Sequence, residues 1–564
     1  MRTDTRGGPE ALRELEGLRN SFGSGAPARK AALLDALARA RLTTAAEVLR
    51  LHEALCVVRA YPDDAAVLRR AARMLAAFEH RPDLRDHRDA LADSGIAGTA
   101  IHYRFYAPTA RWLATRWPAQ LTVDWEEVDR GDRLEVLLPL LALPAETPGL
   151  DEVDLGLRGW IRRLAGPRTT DAAFVVRRFA ELPLDDQARD LLYDQIDLPL
   201  RLAPGADTPA RTREPLPARS PWFPRRTLGG RPDLAREARR RPRAVRALTP
   251  REGARWIDRA RAAMVTRSRD LDVFAYGSPD DVRVVEWDEG LQFVVIGAIP
   301  ERRLLLEGVY AWLTVRNGVP IGYVLVSALY RSSEIAYNVF ETYRQGDAAR
   351  VYARVLATTR TLFGTDTFTI FPYQLGDDND EALDSGAWWF YAKLAFAPRD
   401  SAARRLAAVE RRRVARDPKH RSSRATLKRL ARANLFFDLG PRRRDVMGEI
   451  PLPSVGLVVT DHLALRFGAA RAEAARVCSA EAAELLGASP AEFPPGERMA
   501  WERWAPLALV LPGLARWTPA EKRALAEVMR AKGGRRESDF VARFDAHAKL
   551  RRAIRALAER GEAG

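Results

Sequence analysis

Apolar residues recur at three- and four-residue spacing from about Pro27 to Phe78. ARKAALLDALARARL, AAEVLRLHEALCVV and YPDDAAVLRRAARMLAAF each carry such a stripe, the last after a Pro-Asp-Asp start. The pattern predicts helices that pair as antiparallel hairpins. A Gly-containing break follows at DSGIAGTAIHYRFY. QLTVDW then alternates like a short strand, while LRGWIRRLAG and QARDLLYD return to the helical period.

The period changes again between Val282 and Phe396. VRVVEW, QFVVIGAI, GVYAWLTVR, VPIGYVLVSALY and EIAYNVFE read as successive strands. Asn317-Gly318 sits between two of them, and Asn-Gly suits a two-residue hairpin because both turn positions need positive φ. A loop, YRQGDAAR, then leads into a helix, VYARVLATTRTLFG, a strand, DTFTIFPYQ, and a second helix at AWWFYAKLAF. The prediction is an antiparallel meander followed by β-loop-α-β-α.

These periods divide the chain into four parts. Residues 1–202 form a mainly helical region. Residues 203–248 are rich in Pro and Arg, so they form a linker or an arm laid across another domain, with Trp222-Phe223 favouring an arm that docks. Residues 249–400 form an α/β domain, opening at Thr249 as a helix cap with Pro250 in the first turn. Residues 401–564 form a basic helical region. The fold class expected is mixed α/β (α+β): a central antiparallel or mixed sheet with helices, flanked by all-helical N- and C-terminal regions.

Composition narrows the function classes. A chain of 564 residues, 47% hydrophobic and 29% charged, is globular and long enough for several cores. The opening MRTDTRGGPE has no apolar run, so no signal peptide is expected. The longest apolar stretches, LEVLLPLLALP and WAPLALVLPGLA, contain Pro and fall short of the ~18 residues that a membrane span needs. Cys56 and Cys478 stand far apart, which speaks against a disulfide framework or a Cys-based zinc site. The expected location is the cytoplasm, with no membrane and no metal.

The net charge of +16 raises the question of a nucleic-acid partner. The basic residues are mostly Arg and are spread over many helix faces, so a compositional bias accounts for them equally well. The His residues form no H-E-x-x-H pair, Asp461-His462 has no G-x-S-x-G elbow to serve, and the segment around Lys532 lacks phosphate-loop spacing.

Two short matches carry a family resemblance. A-x-x-F-Y-x-K-L-A-F, from Ala387 through Phe390, Tyr391, Lys393, Leu394 and Ala395 to Phe396, resembles the closing helix of the GNAT superfamily of acyl-CoA N-acyltransferases, with Ala395 where that family commonly has Gly. RQGDAAR, between a strand and a helix, is similar to its pyrophosphate loop. The resemblance covers roughly residues 250 to 400, about a quarter of the chain. It implies acetyl-CoA or another acyl-CoA as co-substrate and an amine acceptor. Tyr391 would protonate the departing thiolate, and the strand EIAYNVFE would hold the pantetheine through its backbone.

Independently of the family, a helix start offers unpaired amides and partial positive charge to a phosphate. Gly346, Ala348 and Ala349 are small enough for close approach, and Arg344 and Arg350 are suited to phosphate oxygens. The loop fits the family's pattern in two registers, one beginning at Arg344 and one at Tyr343, and each departs from it at one position. Asp347 is a good helix cap, and the expectation is that it caps this helix itself and competes with a ligand for the amides.

Tyr391 also has a purely structural reading, as a core residue with a bonded hydroxyl. Trp388, Trp389 and Phe390 point in three directions, which predicts a helix sandwiched between its own sheet and a flanking helical domain or the arm. Glu341 is the candidate general base, with Glu334 and Glu307 as rivals. Two functions stay open: acyl transfer from acyl-CoA to an amine, or a non-catalytic scaffold of the same fold whose basic helices bind a protein or nucleic acid.

Overall fold

The structure is a computed structural model that describes residues 7–23, 25–128, 131–214, 220–344 and 346–563. The opening MRTDTR, Gln345 of the loop and residues 215–219 of the Pro/Arg stretch lie outside the described residues.

Helices α1 (Gly8–Gly17), α2 (Ala26–Arg39), α3 (Ala45–Ala60) and α4 (Ala65–Ala76) begin the chain. The Pro-Asp-Asp start works through Asp64, whose carboxylate accepts from the amides of Ala66 and Val67 at 2.8 Å each. The N-terminal region is not all-helical. Strands β1 (Ile101–Arg104), β2 (Leu121–Val123) and β3 (Pro199–Leu202) form a small antiparallel sheet in the order β1-β3-β2. Helices α5 (Ala107–Arg116), α6 (Asp171–Glu181) and α7 (Asp186–Ile196) share its core through Leu113, Phe179, Tyr193 and Ile196. Strands of three or four residues carry too little alternation to reveal themselves, and only β2 is readable from sequence.

The central sheet has nine strands. They are β4 (Ala244–Ala247), β5 (Gly277–Glu286), β6 (Leu291–Ala298), β7 (Gly308–Arg316), β8 (Val319–Leu329), β9 (Ser332–Val339), β10 (Thr367–Ile370), β11 (Ala397–Pro398) and β12 (Leu435–Asp438). Their order is β11-β12-β10-β9-β8-β7-β6-β5-β4. Strands β4 to β9 form an antiparallel run, β9 and β10 are parallel, and β12 lies antiparallel to both β10 and β11. At the β7–β8 turn Asn317 has φ 48° and Gly318 φ 81°, both positive as a tight hairpin of this kind requires.

The sheet reaches beyond residues 249–400 at both ends. Strand β4 precedes helix α8 (Pro250–Val265), which is opened by a capping box of Thr249 and Glu252. Strand β12 follows helices α9 (Ala348–Phe363), α10 (Ala387–Lys393), α11 (Ser401–Arg416) and α12 (Arg424–Ala431). The C-terminal part is therefore not all-helical either. After β12, six more helices run from Pro453–Phe467 to Ala548–Ala563.

Burial explains why the strands read as nearly continuous apolar runs. Val285, Val295, Trp312 and Val326 share one core with α9, α10 and the C-terminal helices. Val284, Val294, Leu313 and Val315, of opposite parity, share another with α1–α4 and α8. A sheet covered on both faces has no polar side to alternate with. The Pro/Arg stretch is a docked arm: the Trp222 amide donates to Asn317 Oδ1 at 2.8 Å, and Leu228 is buried. Cys56 and Cys478 are buried and unpaired, and no helix among the described residues is long and apolar enough to cross a membrane.

Candidate functional site

Strand β10 pairs with β9 only through Thr367–Ser332, Phe368–Ser333 and Thr369–Glu334. Beyond that point β9 continues from Ile335 to Val339 without it, held on its other edge by β8. The parting opens a cleft of about 220 Å³ between Tyr337–Val339, the start of α9 at Ala348, and Phe390 and Tyr391 of α10.

Tyr391 is 3% exposed and lies in the cleft wall. Burial pushes its phenol pKa up, against the effect of a backbone hydrogen bond with Tyr337. Its ring packs 5.4 Å from Tyr352 and 5.8 Å from Phe396. The closing motif has a local explanation. The amide of Phe396 donates to the carbonyl of Tyr391 at 3.2 Å, and that of Ala395 to the carbonyl of Ala392 at 3.4 Å. These are the two bonds of a Schellman helix end, with Tyr391 and Phe396 as its apolar pair. Ala395 sits at φ 70°, the left-handed position for which glycine is best suited. Trp388 is buried, and Trp389 donates its indole N–H to Ser422 Oγ at 3.1 Å. The helix therefore packs between the sheet and the segment that leads into α12.

The loop before α9 is built differently. Asp347 occupies the N-cap position of α9, but its side chain makes no capping hydrogen bond. Its carboxylate, 3% exposed, accepts from the Tyr61 hydroxyl at 3.0 Å and pairs with Arg316. The expected self-capping is corrected: Arg316 ends β7 with a fully buried guanidinium, and a buried cation claims the nearest carboxylate more strongly than exposed amides do. Gly346 has φ 100°, and a Cβ there would lie 3.1 Å from Asn20 Oδ1 and 3.5 Å from Leu228 Cβ. The segment after α1 and the arm both cover it. Thr342 donates to Glu53 of α3 at 2.9 Å.

The other residues expected to hold phosphate are dispersed. Arg344 stands at the cleft mouth, where Nε donates to the Val339 carbonyl at 3.2 Å and the guanidinium pairs with Glu381. That pairing pulls the Glu381 carboxyl pKa down. Arg350 turns away and binds Glu289 at 2.9 Å. Ala348 lines the cleft, its carbonyl accepting from the Tyr337 hydroxyl at 3.2 Å, while Ala349 packs against the core.

Glu341 is exposed and borders a second, polar cavity of about 190 Å³ with Arg211, Arg267 and Arg269; Asn338, Arg344 and Glu381 face both cavities. Glu334 sits at the other end of β9, where burial, with Glu307 adding a like charge, raises its carboxyl pKa to about 7. Gln374, Asn379 and Ser385 also line the cleft and were not anticipated. Asn379 offered a signal: it caps the short helix Asp380–Asp384 by accepting from the Ala382 amide, and Asn before Asp-Glu is a recognisable helix start. Among the described residues no group of three His, Cys, Asp or Glu is placed to hold a metal ion.

Comparison with protein-family models, with curated proteins and with solved structures finds no match for this chain.

Proposed function

We propose that this chain is an acyl-CoA-dependent N-acyltransferase. The observation that carries the reading is the parting of the parallel strands β9 and β10, which turns the Ile335–Val339 edge of β9 toward a cleft walled by Tyr391. A pantetheine arm, itself a chain of two amides, suits an exposed strand edge because each amide finds a backbone partner there. The order β9-α9-β10-α10 and the parallel pairing of its strands support the GNAT resemblance. In the reaction the amine attacks the thioester carbonyl, the C–S bond breaks, and Tyr391 gives its phenolic proton to the leaving thiolate. The ammonium proton passes to water, because Glu341 borders the adjoining polar cavity and Glu334 sits at the paired end of β9, and neither lines the cleft.

The test is release of free thiol from acetyl-CoA in the presence of a panel of primary amines. Tyr391→Phe is expected to lower turnover by roughly 10²-fold with little change in donor KM. Ala387→Trp is expected to fill the cleft and abolish donor binding. The reading fails if calorimetry finds no saturable binding of acetyl-CoA or CoA up to ~1 mM.

A second reading has its own observation. Gly346 is covered, and Arg344 and Arg350 are paired with Glu381 and Glu289. On this reading the fold is a scaffold, and α11 with its exposed Arg404, Arg405, Arg411 and Arg412 meets a polyanionic partner such as nucleic acid. A steep fall of RNA or DNA affinity with salt would favour it, and weak binding unchanged by salt would count against it.

A further inference from the structure

A third cavity lies in the N-terminal region, away from the walls of the β9–β10 cleft. It has a volume of about 170 Å³. Strand β1 and the turn after it supply Tyr103, Arg104, Phe105 and Tyr106; α7 and its end supply Tyr193, Asp194 and Asp197; the turn after α8 supplies Asp270. Three observations set it apart.

The first is an excess of negative charge, the three carboxylates of Asp194, Asp197 and Asp270 against the single guanidinium of Arg104. Asp194 accepts from the Ala107 amide at 2.9 Å and Asp270 from the Tyr106 amide at 3.0 Å. Both carboxylates are partly buried, and neither forms an ion pair among the described residues. The neighbouring cations have other partners: Arg111 and Arg302 converge on Asp190 at 2.6 and 3.0 Å, Arg261, whose charge acts on Asp270, donates to the Ala275 carbonyl at 2.6 Å, and Arg104, in the cavity wall, binds the carbonyls of Asp197 and Glu127 with its Nε 3.4 Å from the Asp197 carboxylate. Anionic groups withdrawn from water without a cation are costly, and a site that retains them is suited to a ligand that supplies one.

The second is Tyr193. It is 2% exposed, and its hydroxyl has no hydrogen-bond partner among the described residues. Tyr193 itself borders the cavity beside Asp194, and the charges that act on its hydroxyl are Asp194, Arg111, Asp270 and Asp197. Buried hydroxyls are normally bonded, and this one is available to a ligand. The third is the wall itself. Tyr103 and Phe105 lie with ring centroids 5.2 Å apart, and the Tyr106 ring is partly exposed beside them. Aromatic faces attract cations and cover short apolar chains.

We infer that this cavity binds a small primary amine in its ammonium form, held between Asp194 and Asp270, with Tyr193 as a further partner and the aromatic wall against its carbon chain. The inference stands independently of the acyl-transfer reading, because its residues are separate from the β9–β10 cleft. Burial supports it by holding the carboxyl pKa of Asp270 up at about 7 and that of Asp194 at about 6. A bound ammonium favours the ionised forms, so binding near neutral pH releases protons.

Calorimetric titration of the full chain with butylammonium chloride tests this, with potassium chloride and sodium butyrate as controls. Saturable binding in the millimolar range is expected, with proton release seen as a heat that depends on the buffer's ionisation enthalpy. Asp270→Asn and Asp194→Asn are near-isosteric, and each is expected to weaken binding ~10-fold or more. Tyr193→Phe, which keeps the ring and so guards against a folding artefact, is expected to weaken it by ~3-fold. The inference is overturned if butylammonium fails to saturate by ~50 mM, if potassium binds equally well, or if folded Asp→Asn variants bind with parental affinity.

Discussion

The start of α9 and the end of α10 border one cleft, yet they are satisfied by different parts of the chain. The end of α10 looks after itself: its last carbonyls are met by amides within the same ten residues, and Tyr391 and Phe396 close the turn. The start of α9 depends on distant segments. Arg316 and Tyr61 take the Asp347 carboxylate, Asn20 and Leu228 cover Gly346, and Glu53 holds Thr342. A motif closed by its own neighbours keeps its form in any surroundings. A loop closed by remote partners takes on whatever role those partners impose.

The largest effect that would break this comparison is removal of the Asp347 carboxylate. Asp347→Ala leaves the Arg316 guanidinium buried and unpaired, and urea unfolding is expected to show a loss of roughly 3–5 kcal/mol. Replacing both partners, as Arg316→Met with Asp347→Leu, is expected to recover most of that loss. A single variant as stable as the parent would mean that the loop does not depend on this pair.

A smaller effect sharpens the comparison at the cleft. If the loop is committed to its own chain, the nucleotide end of a donor gains little from it. Acetyl-pantetheine and acetyl-CoA are then expected to compete for the cleft with affinities within ~10-fold of each other, a gap of about 1.4 kcal/mol. Tight binding of acetyl-CoA with none of the truncated donor would restore the loop as a phosphate site. The smallest effect tests the self-contained end of α10. Ala395→Gly relieves a left-handed alanine and is expected to raise stability by roughly 0.5–1 kcal/mol, read as a higher midpoint in urea. An unchanged or lowered midpoint would show that the turn is held by its surroundings after all.

Much of the central domain was legible in the chain. GVYAWLTVR is β7 from its first residue to its last, and Asn317-Gly318 makes the predicted turn. Strands of eight or more residues leave a clear record of burial on both faces. Strands β4 and β12 left none, because AVRA is wholly exposed at the sheet edge and LFFD directly follows a helical stretch whose apolar spacing it continues. Tyr391 and Ala348 were expected at one site and both line the cleft, whereas Arg350 and Glu341 were expected there and face other parts of the molecule.

The sequence by itself determined what is decided within a few residues: the helical and strand periods, the hairpin, the capping box at Thr249 and the closed end of α10. Backbone hydrogen bonds and burial stripes set these, and both repeat at short range. Only the tertiary structure decided which charges meet. Arg316 and Asp347 lie 31 positions apart, and Tyr61 and Asp347 lie 286 apart. A buried ion takes the partner that folding brings within reach, and no local pattern records that choice.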